Sequence, residues 1–302
     1  MREAKSIDLF LLVLLGLIWG SSFFNIKIAT YSYEPFTLAL VRVIFASIPL
    51  FILCKLKRIE IKAFSNNWKS YALIGLSNIT IPFVLIAVGT GKINSYLAAM
   101  LMSTTPLSGS ILAHFFTKDD KFNIIKLISV IIGLIGTLFI IDFKNFFILT
   151  EGSYISFVAK IAVIIAALGY MISNIIAYNK LKNVNTITIT TFATLFGAIV
   201  SIPFMLYFEL TEPSSINFSS FISLIYLGLF PTAIAFQFRY YITKKSGPTF
   251  LSYVAYLIPV FAIFWGYLIL GEKVALSSIL GILLVLLGVY VGQKKLMYKG
   301  AN

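Results

Sequence analysis

Apolar residues occur in ten long runs, at about 8–30, 35–54, 70–90, 95–117, 122–141, 154–179, 186–208, 219–242, 248–270 and 275–293. Crossing a bilayer as an α-helix takes roughly 20 apolar residues, so each run is long enough. The breaks are short and carry turn and charge signals, as at 33–35, 89–92, 118–121, 212–214, 246–248 and 271–273. The pattern predicts an all-α integral membrane protein with ten transmembrane helices. The first run follows Arg2 and Lys5, as in a secretory leader. It continues to about Ile28 with no small-residue cleavage site, so it is expected to remain as span 1.

Polar positions inside the runs recur. Ser47, Ile48 and Pro49 return as Ser201, Ile202 and Pro203 at an offset of 154, while Gly75/Gly228, Pro106/Pro259 and Asp119/Glu272 share an offset of 153. Gly20 and Asn25 stand five apart, and so do Gly169 and Asn174. The chain is therefore expected to divide into a five-span repeat at 1–141, a linker at 142–153 and a second five-span repeat at 154–302. Five is odd, so the second repeat enters the membrane from the opposite face. The fold expected is two inverted five-helix repeats about a pseudo-two-fold axis in the membrane plane. Such repeats place a solute site between them, near the bilayer midplane.

Basic residues check the span count. With both termini in the cytoplasm, about 17 Lys and Arg fall on the inner side and about 3 (Lys92, Lys144 and Lys273) on the outer side. A missed or invented span would invert every later loop and erase this bias. Composition agrees: 12% of residues are charged, about half the share of a soluble domain. A net charge of +13 would suit a nucleic-acid partner, but the cations sit in short gaps between apolar runs, so none is expected. One cysteine, Cys54, and one histidine, His114, exclude a disulfide framework and a Cys/His metal cluster. No Asp or Glu lies deep in a run, so acid, base, nucleophile and metal groups do not converge. Neither an enzyme nor a cofactor is expected. Richness in Ile, Lys, Asn and Phe suggests an AT-rich bacterial genome, and hence the bacterial plasma membrane.

Several landmarks carry a family resemblance over nearly the whole chain. They are Leu17, Ile18, Trp19, Gly20, Ser21 and Ser22 in span 1, and Pro35, Arg42 and Ala46 in span 2. In the second half they are Tyr256, Pro259 and Ala262, then Gly271, Glu272 and Lys273, then the glycine-containing stretch from Gly281 to Gly288. Together they resemble the EamA family of the drug/metabolite transporter superfamily. The first half departs from the pattern, with Lys118 and Asp119 where the second has Gly271 and Glu272. The resemblance implies a secondary transporter with a central cavity lined by spans 1, 3, 4, 6, 8 and 9. The implied partners are the lipid bilayer and a small-molecule metabolite, an amino acid or related compound, exported by alternating access. An uptake carrier or exchanger of nucleoside- or S-adenosylmethionine-like solutes, or a channel-like facilitator, fits the same frame.

Polar and aromatic residues of those spans are the candidates for substrate binding. They are Trp19, Ser22 and Asn25 in span 1, Asn78 in span 3, Tyr170 and Asn174 in span 6, Gln237 in span 8, and Tyr253 and Tyr256 in span 9. Tyr170, Asn174 and Tyr178 are four apart and share a helix face. Asn25 and Asn174, matched by the repeat, either present amides to the axis or bond neighbouring helices. Tyr253 and Tyr256, with Trp19 and Phe23, either form an aromatic wall or face lipid and its interface. Pro106 and Pro259 each free a backbone carbonyl, which makes them gating positions or static bends.

Four cations fall inside runs: Lys27, Arg42, Lys160 and Arg239. Each is near enough to an end to snorkel. Arg42, roughly 10 Å in at the helical rise, is the deepest for its reach and is assigned to gating. If several face a cavity, the solute should carry a carboxylate or phosphate. The lack of a deep acid argues against proton exchange with cationic drugs. Gly288 and Gly292 in span 10 form a close-packing motif that suits either a homodimer or packing within a monomer.

Overall fold

A computed structural model describes residues 5–59, 66–93, 95–140, 153–209, 217–270 and 276–298. The linker up to 152, Lys144, and the Gly271–Glu272–Lys273 landmark lie outside the described residues. The described residues form ten helical spans. These are α1 (Ser6–Ala29), α2 (Pro35–Leu56), α3 (Trp68–Lys92), α4 (Ser95–Leu101 and Thr105–Phe116), α5 (Ile124–Ile140), α6 (Ser153–Lys180), α7 (Thr186–Phe208), α8 (Phe218–Ser246), α9 (Pro248–Ser252 and Val254–Leu270) and α10 (Leu276–Tyr298). Seven are long and apolar enough to cross a membrane by themselves. α4 is interrupted by a 3-10 turn at Met102–Thr104, and α5 and α10 have shorter apolar cores. Large apolar side chains point outward along the bundle, including Ile48 and Phe51 on α2 and Ile199 and Phe204 on α7. Only lipid accepts such a surface.

Helix packing follows the repeat. α1 packs on α9 as α6 packs on α4, and α6 packs on α3 as α1 packs on α8. α2 lies on α8 as α7 lies on α3, while α2 pairs with α7 and α5 with α10. A two-fold operation exchanging α1–α5 with α6–α10 requires this set of pairs. With five spans in each half, the repeats are inverted.

The matched glycines explain how close the helices come. π-helical turns begin at both, spanning Gly75–Thr80 in α3 and Gly228–Ile234 in α8. A Cβ on Gly75 would lie 2.8 Å from the Ala193 carbonyl oxygen of α7, and one on Gly228 would lie 2.7 Å from the Arg42 carbonyl oxygen of α2. Lipid supplies no hydrophobic drive between helices, so this backbone-to-backbone packing carries much of the association. The same holds for α5 and α10. Gly288 presses on Gly133 of α5, and Gly292 on Tyr253 of α9, so the span-10 motif packs within the chain.

Prolines inside helices leave carbonyls without their usual donor, and hydroxyls fill the gaps. Thr232 donates to the Leu227 carbonyl freed by Pro231 (2.8 Å), and Ser103 of α4 donates to the Ala255 carbonyl freed by Pro259 (3.3 Å). Thr105 likewise donates to the Met102 carbonyl freed by Pro106. The loop between α4 and α5 is tied down at one end of the bundle. Asp120 accepts the Thr249 amide at the start of α9 and pairs with Lys126, and the Tyr178 hydroxyl donates to Asp119. At the start of α2, Glu209 accepts the Phe36 and Thr37 amides at 2.7 and 2.6 Å.

Gly228→Val should cost about 2–3 kcal/mol through overpacking against α2 and lower the melting temperature in detergent. Gly91→Ala, whose Cβ would meet only Thr30 at 4.0 Å, should leave it unchanged. Equal melting of the two variants would contradict this account of the α2–α8 contact.

Candidate functional site

A cavity that opens to the outside lies between the repeats, with about 650 Å³ of space when the open part is included. α1 contributes Trp19, Ser22, Phe23 and Ile26, spaced to share one helix face. α4 adds Met102 and Thr105, α6 adds Tyr170 and Asn174, and α8 adds Phe236 and Arg239. α9 lines it from Leu251 to Ile258, while α2 and α3 give one residue each, Arg42 and Ile86. The lining includes no residue of α5, α7 or α10.

Arg239 is 2% exposed and held on several sides. Its Nε donates to Asn174 Oδ1 at 2.9 Å and its Nη1 to Asn78 Oδ1. Its Nη2 donates to Ser173 Oγ at 2.8 Å and to the Tyr170 carbonyl at 3.0 Å. Four aromatic rings surround the guanidinium, with Tyr170 at 5.1 Å and Phe236 at 5.3 Å nearest, then Tyr240 and Trp19. Its partners are neutral dipoles and ring faces rather than a carboxylate.

Arg42 is 5% exposed and held more loosely. Its Nε donates to Thr232 Oγ1 at 2.9 Å, and its guanidinium lies 3.8 Å over the Phe83 ring. Thr232 belongs to the π turn of α8 and Asn78 to the π turn of α3. Each π turn thus supplies a partner for one of the two arginines. Trp19 Nε1 also donates to the carbonyl of Pro231, inside the α8 turn, at 2.9 Å. π turns of this kind recur at functional sites.

The structure brings Trp19, Ser22, Tyr170, Asn174 and Arg42 together at the cavity. Asn78 sits behind the lining and holds Arg239. Asn25 donates to Ser21 of its own helix at 2.8 Å, so the repeat-matched asparagines do different things. Gln237 lies outside the lining and reaches its own helix at Ala233. Tyr253 and Tyr256 stack on each other away from the lining, with the Tyr256 hydroxyl donating to Val130 of α5. The aromatic residues of the lining are Trp19, Phe23, Tyr170 and Phe236. Pro106 and Pro259 flank the lining residues Thr105 and Ile258. Lys27 bonds the carbonyls of Thr90 and Gly91 at the end of α3. His114 accepts the Phe122 amide through Nδ1.

Sequence reasoning passed over Arg239, which was expected to snorkel from an inner end at about 242. α8 continues to Ser246, leaving Arg239 seven residues from the end, or roughly 10 Å. Extending the run through Lys244 and Lys245 as a snorkelling last turn would have exposed its depth. Arg42 does not snorkel either, because its ring partner and Thr232 lie inside the bundle. Among the described residues there is no cluster able to hold a metal ion.

Two inverted five-helix repeats closing on a central cavity define a multi-pass membrane protein. The profile of the EamA-like transporter family matches residues 6–142 and 155–291, one copy on each repeat. The chain belongs to that family, within the drug/metabolite transporter superfamily, and is a membrane transporter, not an enzyme. The uncharacterized transporter YoaV of Bacillus subtilis (strain 168) is 24% identical over 275 residues, covering 91% of this chain and 92% of that protein. An uncharacterized transporter of Archaeoglobus fulgidus is 25% identical over 290 residues, covering 94% and 96%. A solved crystal structure of 16% identity matches 97% of this chain and 100% of its own with a TM-score of 0.77, which establishes the shared fold.

Removing one acceptor of a buried guanidinium leaves a charged donor unmet. Asn78→Leu and Asn174→Leu should each cost about 2–3 kcal/mol. Asn25→Leu, which loses only a bond to its own helix, should cost under about 1 kcal/mol. Thermal unfolding in detergent measures all three, and a loss at Asn25 as large as at Asn78 would contradict the assigned network.

Proposed function

We propose that the protein carries a small organic metabolite across the bacterial plasma membrane by alternating access. The observation that carries this reading is the cavity lined from both repeats. Trp19, Ser22, Tyr170 and Asn174 offer stacking faces and hydrogen bonds to the solute, and Arg42 offers charge. Both termini lie in the cytoplasm by the basic-residue bias, and the expected direction is export. One chain completes the cavity, so the monomer is the transporting unit, whether alone or within a homodimer. Matched π turns in α3 and α8, with a break in α4 at Met102–Thr104 and one in α9 at Tyr253, supply hinges for rocking one repeat against the other.

Purified full-length protein in proteoliposomes should show saturable counterflow of its solute. Ser22→Trp, which fills the cavity, should lower it at least about ten-fold, while Ile48→Trp on the lipid face should not. Flux that rises linearly with concentration and shows no counterflow would establish a channel instead.

A further inference from the structure

We infer that the cavity is built for an organic monocarboxylate with an apolar body, gripped at its carboxylate by Arg42; this rests on the carrier reading above. Two guanidiniums line the cavity and, among the described residues, no Asp or Glu does. They are not equivalent. Arg239 already donates to Asn78, Asn174, Ser173 and the Tyr170 carbonyl, and aromatic faces surround it. A carboxylate held by both oxygens would have to displace bonds that hold α3, α6 and α8 together. Arg42 donates only from Nε, to Thr232, and its face is covered by Phe83. Those two contacts set the plane of the guanidinium and leave its Nη1/Nη2 edge with no partner among the described residues. That edge carries two parallel N–H groups, the fork that matches the two oxygens of a carboxylate.

The rest of the lining selects the body and excludes rivals. Phe23, Ile26, Ile86, Met102, Val254 and Ile258 are apolar, and Trp19 and Tyr170 present ring faces. A phosphate brings three terminal oxygens and up to two charges. Beyond Arg42 it would find only neutral groups, the hydroxyls of Ser22, Thr105, Ser252 and Tyr170 and the Asn174 amide, because Arg239 is engaged with the protein. An α-ammonium would find no acid among the lining residues, and Asn174 has given its carbonyl oxygen to Arg239. Arg239 therefore supplies fixed positive potential, and Arg42 supplies contact.

The test uses full-length protein in detergent and reads binding by thermal shift. Ligands are 3-phenylpropanoate, hexanoate and benzoate, each with its primary amide, together with L-phenylalanine and 2-phenylethyl phosphate. At least one acid should stabilise the wild type while its amide does not, and L-phenylalanine and the phosphate should bind at least about ten-fold more weakly than 3-phenylpropanoate. Arg42→Gln should weaken the acid about 100-fold, with Arg42→Lys intermediate. Amides that bind as well as their acids, no acid binding in preference to its amide, tighter binding of the phosphate or of L-phenylalanine, or full affinity in Arg42→Gln would each overturn the assignment. If the variants fail to fold, the wild-type series decides. Counterflow separates the two readings. Acids that bind without counterflow would sink the carrier reading alone, and amides carried as fast as acids would sink the anion site alone.

Discussion

A guanidinium held inside a lipid-embedded bundle must have its donors met by protein or by what enters a cavity, because lipid offers nothing in exchange. Arg239 sets that condition here. Asn78 of α3, Asn174 and Ser173 of α6, and Arg239 of α8 meet at one point, so one charge ties the first repeat to the second. Neutral acceptors are enough because there are several of them and aromatic faces occupy the remaining space. The charge is thereby kept without a counter-ion, and the cavity beside it keeps a positive potential.

The repeat is symmetric in its backbone and asymmetric in its chemistry. Gly75 and Gly228 open matched π turns and press on matched partners, α7 and α2. Yet the position equivalent to Arg239, at the offset of 153, is Ile86, and both line the cavity. Arg42 has Phe196 as its counterpart at the offset of 154. Inverted repeats need equivalent hinges, since each must close one side. A single solute on the axis needs no second copy of its binding groups. Divergence is therefore free where the side chains face the cavity and constrained where backbones touch.

Polar contacts across the bundle are of a strength that suits movement. Among the hydroxyls that meet carbonyls released by prolines, Thr232 and Thr105 stay within their own helices, while Ser103 reaches from α4 to α9. Side-chain bonds between membrane helices average about 0.6 kcal/mol, so they exchange partners readily. The glycine contacts of α5 with α10 involve backbone atoms and resist such exchange. Among the described residues these two helices contribute nothing to the lining and stand outside it.

Much of the fold was legible in the amino-acid order because it depends on local properties. Ten apolar runs, their basic breaks and the matched Gly, Pro and Ser positions determined a ten-span inverted repeat, since bilayer thickness sets run length and loop charge sets direction. Trp19, Ser22, Tyr170 and Asn174 were legible as cavity residues from their types and spacing. Asn25 looked equivalent to Asn174 and bonds its own helix instead, while Tyr253 and Tyr256 turn towards α5 and α10. Helices that are apolar all round carry no stripe to orient them. Their rotation about their own axes, and with it the burial of Arg239 and the free edge of Arg42, was decided only when the helices packed.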